Sequence, residues 1–183
     1  MLKLDKRNIK RKLTPTKNPF LSLASSIIYQ QISTEAGNSI YRRFIKLFDG
    51  KKPTPPNLLS ISTERLRSAG LSKQKISYLK DLAKKFIDKT IDHRRLHKMS
   101  DEDIKQHLIQ VKGIGPWTAD MFLIFALNRP NILPIGDLGI KKGFQKVFRL
   151  RTLPNEKTMR HLAKPHQGQH TLLSLYLWQK QDE

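Results

Sequence analysis

Apolar residues recur along most of the chain at spacings of three and four, and hardly anywhere in twos. From Asn18 to Ile32, the positions Phe20, Leu21, Leu23, Ala24, Ile27 and Ile28 trace one face of a core-facing helix. Ser33 or Thr34 is placed to cap a second helix running through Phe48. Gly50 and Pro53-Thr54-Pro55-Pro56 then break the chain, so Lys51–Asn57 is a candidate break, within two lobes sharing one chain rather than between independent domains. Ser62-Thr63-Glu64 opens a short helix that Gly70 closes. Ser72 starts another, which turns Ile76, Leu79, Leu82, Ala83 and Phe86 inward and keeps Lys73, Lys75, Lys80, Lys84 and Lys85 wet. Ser100-Asp101-Glu102-Asp103 resembles a capping signature, with Asp where a full box has Glu or Gln, and its helix runs to about Gln110. Leu138 to Phe148 reads as helix, and Leu172, Leu173, Leu175 and Tyr176 have core spacing, with Trp178 packing beside them. No stretch alternates as a strand would. The expected fold class is all-α, built of short helices.

Composition narrows the picture. A chain of 183 residues is long enough for one core without staples, since one domain usually takes about 100–200 residues. It has no cysteine, which removes disulfides, thiol nucleophiles and cysteine-ligated zinc or iron–sulfur chemistry. No apolar run approaches the roughly 18 residues of a membrane span. Thirty-five Lys and Arg against 15 Asp and Glu leave a formal charge of +20, which calls for a polyanionic partner, nucleic acid being the commonest. Met1 to Lys12 is basic but lacks the apolar stretch of a secretory signal. Lys6 to Lys12 reads equally as a solvated tail, a nuclear address or a phosphate-binding arm. The expected organisation is a basic arm over 1–17 and a single domain over 18–183.

The sharpest local feature is Val111-Lys112-Gly113-Ile114-Gly115-Pro116-Trp117-Thr118-Ala119. A helix ends, two glycines turn the chain, and Pro116 sits where a first-turn proline opens the next helix, expected over Pro116–Leu127. Glycines free to adopt φ > 0 leave N–H groups uncovered, and the following helix adds its own unpaired N–H groups and positive dipole end. That arrangement clamps a phosphate without reading sequence. A tight helix–helix turn with glycine as C-cap is the plainer alternative. Farther on, Ile132-Leu133-Pro134-Ile135-Gly136 is too irregular for helix, so Asp137 falls at a helix start, where aspartate is a good N-cap. It is also the only acid between Asp120 and Glu156, amid Arg129, Lys141, Lys142, Lys146, Arg149 and Arg151.

The hairpin motif followed by Ile135-Gly136-Asp137 resembles the helix–hairpin–helix DNA glycosylases, whose closest branch is the alkylbase (3-methyladenine type II) glycosylases. The resemblance runs from about Asn18 to Trp178 and includes Ser26-Ile27-Ile28-Tyr29-Gln30-Gln31-Ile32-Ser33 and Ala69-Gly70-Leu71-Ser72-Lys73-Gln74-Lys75. It implies a two-lobed helical fold with a central cleft for DNA, the helix–hairpin–helix lying at about 103–127, and a catalytic aspartate at Asp137. A single carboxylate suits the chemistry, because breaking a glycosidic bond passes through an oxocarbenium-like sugar that an anion stabilises, and an alkylated purine leaves as a neutral base. Bifunctional relatives carry a lysine directly before Thr-Ala. Here that position is Trp117, which closes the Schiff-base route there and offers a stacking face for an electron-poor base; packing in the core beside Met121 and Ile124 is the competing role.

By the same resemblance, Trp117, Tyr29 and Met121 are expected in the base pocket. Gln31, with Gln30, falls where a wedge enters the duplex to fill the hole left by the extruded base. Gly113, Gly115, Thr118 and Lys112 are expected at phosphates. No cofactor is required, though the main-chain carbonyls of Gln110, Lys112 and Ile114 are candidates for a structural Na+ or K+. The implied partner is double-stranded DNA containing alkylated bases, with no membrane, for a monomer in the cytoplasm (nucleoid) of a bacterium or the nucleus of a eukaryote.

Two features depart from the family pattern. Lys164 to Thr171 differs in content from the Pro-aromatic-Arg segment of relatives, which leaves one pocket wall open, and Met1–Lys17 reads poorly as the usual leading helix and is too short for the β-rich domain of some relatives. His93 and His97 lie four apart but lack the acid of a zinc motif, so the histidines, His166 and His170 included, read as surface or DNA-facing polarity. A non-catalytic DNA-binding module, or a glycosylase for another damaged base, remains an alternative.

Overall fold

The computed structural model describes all residues except Met1, Lys3 and Glu183, so those two positions of the basic arm lie outside it. Among the described residues every regular element is helical. The chain divides into two compact units. One is continuous, Thr16–Ala119; the other joins the segment up to Pro15 to the segment from Asp120 onward.

The continuous unit holds α1 (Pro19–Tyr29), α2 (Thr34–Lys46), α3 (Pro55–Ser60), α4 (Thr63–Ser68), α5 (Lys73–Ile87) and α6 (Asp101–Leu108). Each start is capped by a side chain, at Ser33, Ser62, Ser72 and Ser100 as the pattern indicated and at Asn18 and Thr54 where it named no cap. Asn18, Ser33, Thr54, Ser62, Ser72 and Ser100 all accept a main-chain N–H with their side chains, satisfying donors that a helix leaves unpaired. The Pro-rich stretch does not divide the molecule. It lies inside this unit, and Pro55 opens α3, because proline at the first helical position lacks only an N–H that the helix would not use. Phe20 packs edge-on against Phe86, and Leu23, Ile27, Ile28, Leu58, Leu66, Leu79 and Leu82 are fully buried around them.

The second unit is built on α8 (Leu138–Val147), α9 (Glu156–Ala163) and α10 (His170–Asp182). Its core gathers Ile140, Phe144, Met159, Ala163, Leu173 and Leu177. The amino-terminal segment joins that core: Leu2 and Leu4 pack against it, Ile9 is buried, and the Lys10 N–H donates to Gln179 Oε1 at 3.0 Å.

The helix after the hairpin is not uniform. It is α-helical as α7 (Pro116–Met121) and then widens to a π-turn over Phe122–Ala126, with Leu127 N–H donating to Phe122 O at 3.1 Å. Residues expected on one face differ in burial: Ile124 is fully buried, whereas Trp117 is 49% exposed.

Candidate functional site

In the second unit the site is built around Asp137. A turn closed by the Asp137 N–H on Pro134 O, at 3.0 Å, delivers the residue to the start of α8. Its Oδ1 accepts two hydrogen bonds, from the Ile140 N–H at 2.8 Å and from Trp178 Nε1–H at 2.8 Å. Asp137 therefore does cap the helix, and it is also aimed by an indole from α10. Trp178 in turn stacks on Phe125, with centroids 5.7 Å apart, and the Arg11 guanidinium lies 4.0 Å over the same Phe125 ring. Cation, phenyl and indole form a row that ends on the carboxylate, each member restricting the next.

Two glycines let α10 come that close. A Cβ at Gly143 would stand 2.5 Å from Leu177 O, and one at Gly139 would meet Trp178 Cδ1 at 2.9 Å and Asp137 Oδ1 at 3.0 Å. Sequence reasoning placed Trp178 only in the core and missed its bond to Asp137. The available signal was the pair of glycines four apart on one helix face, which marks close approach of a second backbone.

The irregular segment before Asp137 is anchored from α10 as well. Thr171 Oγ1 donates to Arg129 O and accepts the Ile132 N–H at 3.1 Å, Ser174 Oγ donates to Ile132 O at 3.0 Å, and the Gly168 N–H donates to Asn131 Oδ1 at 2.8 Å. The divergent stretch 164–171 thus supports the loop that carries the aspartate. His166 within it is buried, correcting the expectation of surface polarity; burial, followed by the neighbouring His170, pushes its imidazole below the usual value. Among the described residues, no group of three or more His, Asp or Glu side chains is placed to hold a metal ion.

In the continuous unit, the hairpin turns at Gly113, whose φ is +80°. A side chain there would also collide with Tyr78, since a Cβ would lie 2.1 Å from Cδ2. Gly115 differs from the expectation: it does not have a positive φ, and a Cβ there would meet nothing within 4 Å. Its glycine keeps an open surface rather than a backbone turn. Lys112 is exposed and its N–H is held by Asp81 Oδ2 at 2.9 Å, while Thr118 is buried.

The expected wedge pair is split by the structure. Gln30 Nε2–H donates to Gly113 O at 2.9 Å, tying the end of α1 to the hairpin. Gln31 is exposed, with φ +56°. Tyr29 packs its ring on Gly37 and donates its hydroxyl to Asn38 Oδ1 at 2.6 Å, so α2 holds it. Trp117 is half exposed at the start of α7, which sets aside the pure core role, and Met121, at its end, is partly buried.

Comparison with known proteins gives the family. The model of the HhH-GPD superfamily of base excision DNA repair proteins matches residues 24–167. A Schizosaccharomyces pombe protein named DNA-3-methyladenine glycosylase 1 is 33% identical over 164 residues, covering 88% of this chain and 72% of that protein. Among solved structures, a DNA-3-methyladenine glycosidase from Bacillus halodurans superposes with TM-score 0.86 at 34% identity, over 93% of this chain and 79% of that one. The S. pombe 3-methyladenine DNA glycosylase solved with abasic DNA gives TM-score 0.81 at 31% identity, over 94% and 85%. A lone acid at a helix start, a glycine hairpin and this breadth of likeness have one reading: the chain belongs to the HhH-GPD superfamily of base excision DNA repair proteins.

Proposed function

We propose that this protein is a monofunctional DNA N-glycosylase that removes alkylated purines of the 3-methyladenine type from double-stranded DNA, initiating base excision repair. The observation that carries the reading is the fixing of Asp137 Oδ1 by Trp178 Nε1–H and the Ile140 N–H. A carboxylate so held is preorganised for charge that develops in the reaction. Relatives named as DNA-3-methyladenine glycosylases, one of them solved with abasic DNA, support the substrate class.

The reaction is a hydrolysis. The bond from C1′ to the base nitrogen breaks with its electron pair leaving on the base, and an alkylated purine, already cationic, departs neutral. The sugar passes through an oxocarbenium-like state whose positive charge Asp137 stabilises. Water adds its oxygen to C1′, and the proton it loses passes by way of the carboxylate to solvent. Trp117, where bifunctional relatives have lysine, presents an indole face to the extruded base, with Tyr29 as the other aromatic of the same unit offered to it. Gln31 fills the gap in the duplex. Lys112, Gly113, Gly115 and the main chain at Thr118 hold phosphate.

The hairpin also suits a monovalent cation. The carbonyls of Val111 and Gly113 accept hydrogen bonds, from the Ile114 N–H and from Gln30, and they alternate along the chain with those of Gln110, Lys112 and Ile114. Those three would hold Na+ or K+, which would neutralise part of the phosphate charge at the turn. The enzyme acts as a monomer wherever the genome is, in a nucleoid or a nucleus.

The decisive experiment treats duplex DNA with a methylating agent, adds protein and identifies the bases released. Wild type is expected to free methylated purines, and Asp137→Asn to bind DNA equally while releasing them about two to four decades more slowly. Binding without release by wild type would instead mark a non-catalytic DNA-binding module, and near-normal release by Asp137→Asn would reduce the residue to a helix cap.

A further inference from the structure

Lysine in a protein of charge +20 is ordinarily read as a phosphate contact, and Lys75 is one of five lysines that the pattern of α5 left facing water. The structure turns it inward. Its ammonium donates to Ile28 O at 2.7 Å and Gln30 O at 2.9 Å, carbonyls at the end of α1. That end has no basic residue of its own in the last turn and no glycine after it. The chain nevertheless leaves through Gln31 at φ +56°, a region that side chains with a Cβ seldom enter. A cation supplied by another helix satisfies the orphaned carbonyls and complements the negative end of the helix dipole. Burial depresses the pKa of the ammonium, in keeping with a group withdrawn from solvent.

The same side of α5 reaches the hairpin. Tyr78, three residues on, fills the space a side chain at Gly113 would need, and Gln74 Nε2–H donates to the Tyr78 hydroxyl at 2.6 Å. Asp81, three residues further, accepts the Lys112 N–H. Gln30 closes the loop by donating to Gly113 O. One helix face thus holds both the turn that presents Gln31 and the turn that presents the hairpin glycines.

We propose that Lys75 is a positioning residue for base extrusion: by capping Ile28 O and Gln30 O it sets the direction in which Gln31 leaves α1 and, through Gln30, locks that wedge to the hairpin, so that phosphate capture and intercalation occur as one rigid step. This rests on the reading of the chain as a base-extruding glycosylase with Gln31 as its wedge. Lys75 is then not a phosphate ligand, and its loss is felt only where a base must be pulled out of a stacked duplex.

The test uses the full chain with Lys75→Met and Lys75→Arg, each first checked for folding by thermal melting. Three measurements follow: the salt dependence of DNA affinity, the fluorescence of 2-aminopurine placed beside the lesion, and base release from methylated single and double strands. For Lys75→Met, the slope of log affinity against log salt should stay at the wild-type value, whereas loss of one phosphate contact would lower it by about 0.9. The fluorescence rise should be lost and release from duplex should fall about 30-fold, while release from single strands should stay within about threefold, since no stack has to be opened there. Lys75→Arg, which still offers donors to both carbonyls, should restore most of the fluorescence rise. Should Lys75→Met unfold, Lys75→Gln keeps an uncharged amide N–H group for the carbonyls and should show the same pattern with smaller losses.

A shallower salt slope with parallel loss of affinity would overturn the proposal, as would equal loss of release on both kinds of strand, or an arginine variant no better than methionine. A wild type that releases no methylated base refutes the proposed activity instead, and the slope and fluorescence measurements still decide the role of Lys75.

Discussion

The indole Nε1–H of Trp178 donates to Oδ1 of Asp137 at 2.8 Å, across 41 residues of sequence. The same oxygen caps α8 through the Ile140 N–H. The carboxylate is oriented from its own helix and from α10 together, and the second support exists only because Gly139 and Gly143 admit α10 so closely.

Trp178→Phe removes the N–H and keeps an aromatic ring against Phe125. A hydrogen bond to a charged acceptor contributes about 1.5–3 kcal/mol, and if part of that orients the carboxylate in the transition state, base release should slow about tenfold. DNA affinity should stay at the wild-type level. Single-turnover release set beside a binding titration checks this, and an unchanged rate would mean that the cap alone aims Asp137.

The two hairpin glycines should behave differently. Gly113→Ala places a Cβ at φ +80° and against the Tyr78 ring, so it should lose at least about 2 kcal/mol of stability, or roughly 4–8 °C in Tm. Gly115→Ala meets open space and should leave Tm unchanged. On DNA it should weaken binding to all sequences alike, because phosphate contacts position without reading bases. Calorimetry and titrations against several unrelated duplexes distinguish the pair.

Product DNA should keep an intact backbone at the abasic site until alkali is added. With an indole at Trp117, borohydride should trap no stoichiometric protein–DNA adduct, since no amine at that position forms a Schiff base. Efficient trapping by wild type would point to Lys141 or Lys142, the lysines nearest Asp137 in sequence, and would make the enzyme bifunctional.

His166 links stability to pH. Burial, then His170, lowers its pKa in the folded state, so between its folded value and the ordinary imidazole value the unfolded chain binds more protons. Its contribution is complete above the unfolded pKa and is lost as pH falls through the folded one. Tm should decline from about pH 7 towards pH 5, and His166→Gln should flatten that decline. Parallel Tm profiles for the two proteins would rule the residue out as the source.

Much of this molecule is local and was legible in the sequence. Ser62, Ser72 and Ser100 cap helices in the structure because an N-cap bond spans three residues of chain, and the core faces of α1 and α5 follow from the helical period alone. Gly113 belongs to the same class, since a left-handed turn is a property of one residue and its neighbours. Asp137 stood out because it is the one acid between Asp120 and Glu156. Tertiary structure decided what lies beyond that reach. Trp178 meets Asp137, Lys75 meets the end of α1, and Gln30 rather than Gln31 meets the hairpin, through side chains whose partners are 41 to 83 residues away. Periodicity assigns a residue to a face of its own helix, but not to the atom it will touch on another. Burial too escapes the period: Trp117 is half exposed and Ile124 fully buried, although their spacing sets them on one helical face. Pairings of this kind are set by how helices pack, and packing depends on the whole chain at once.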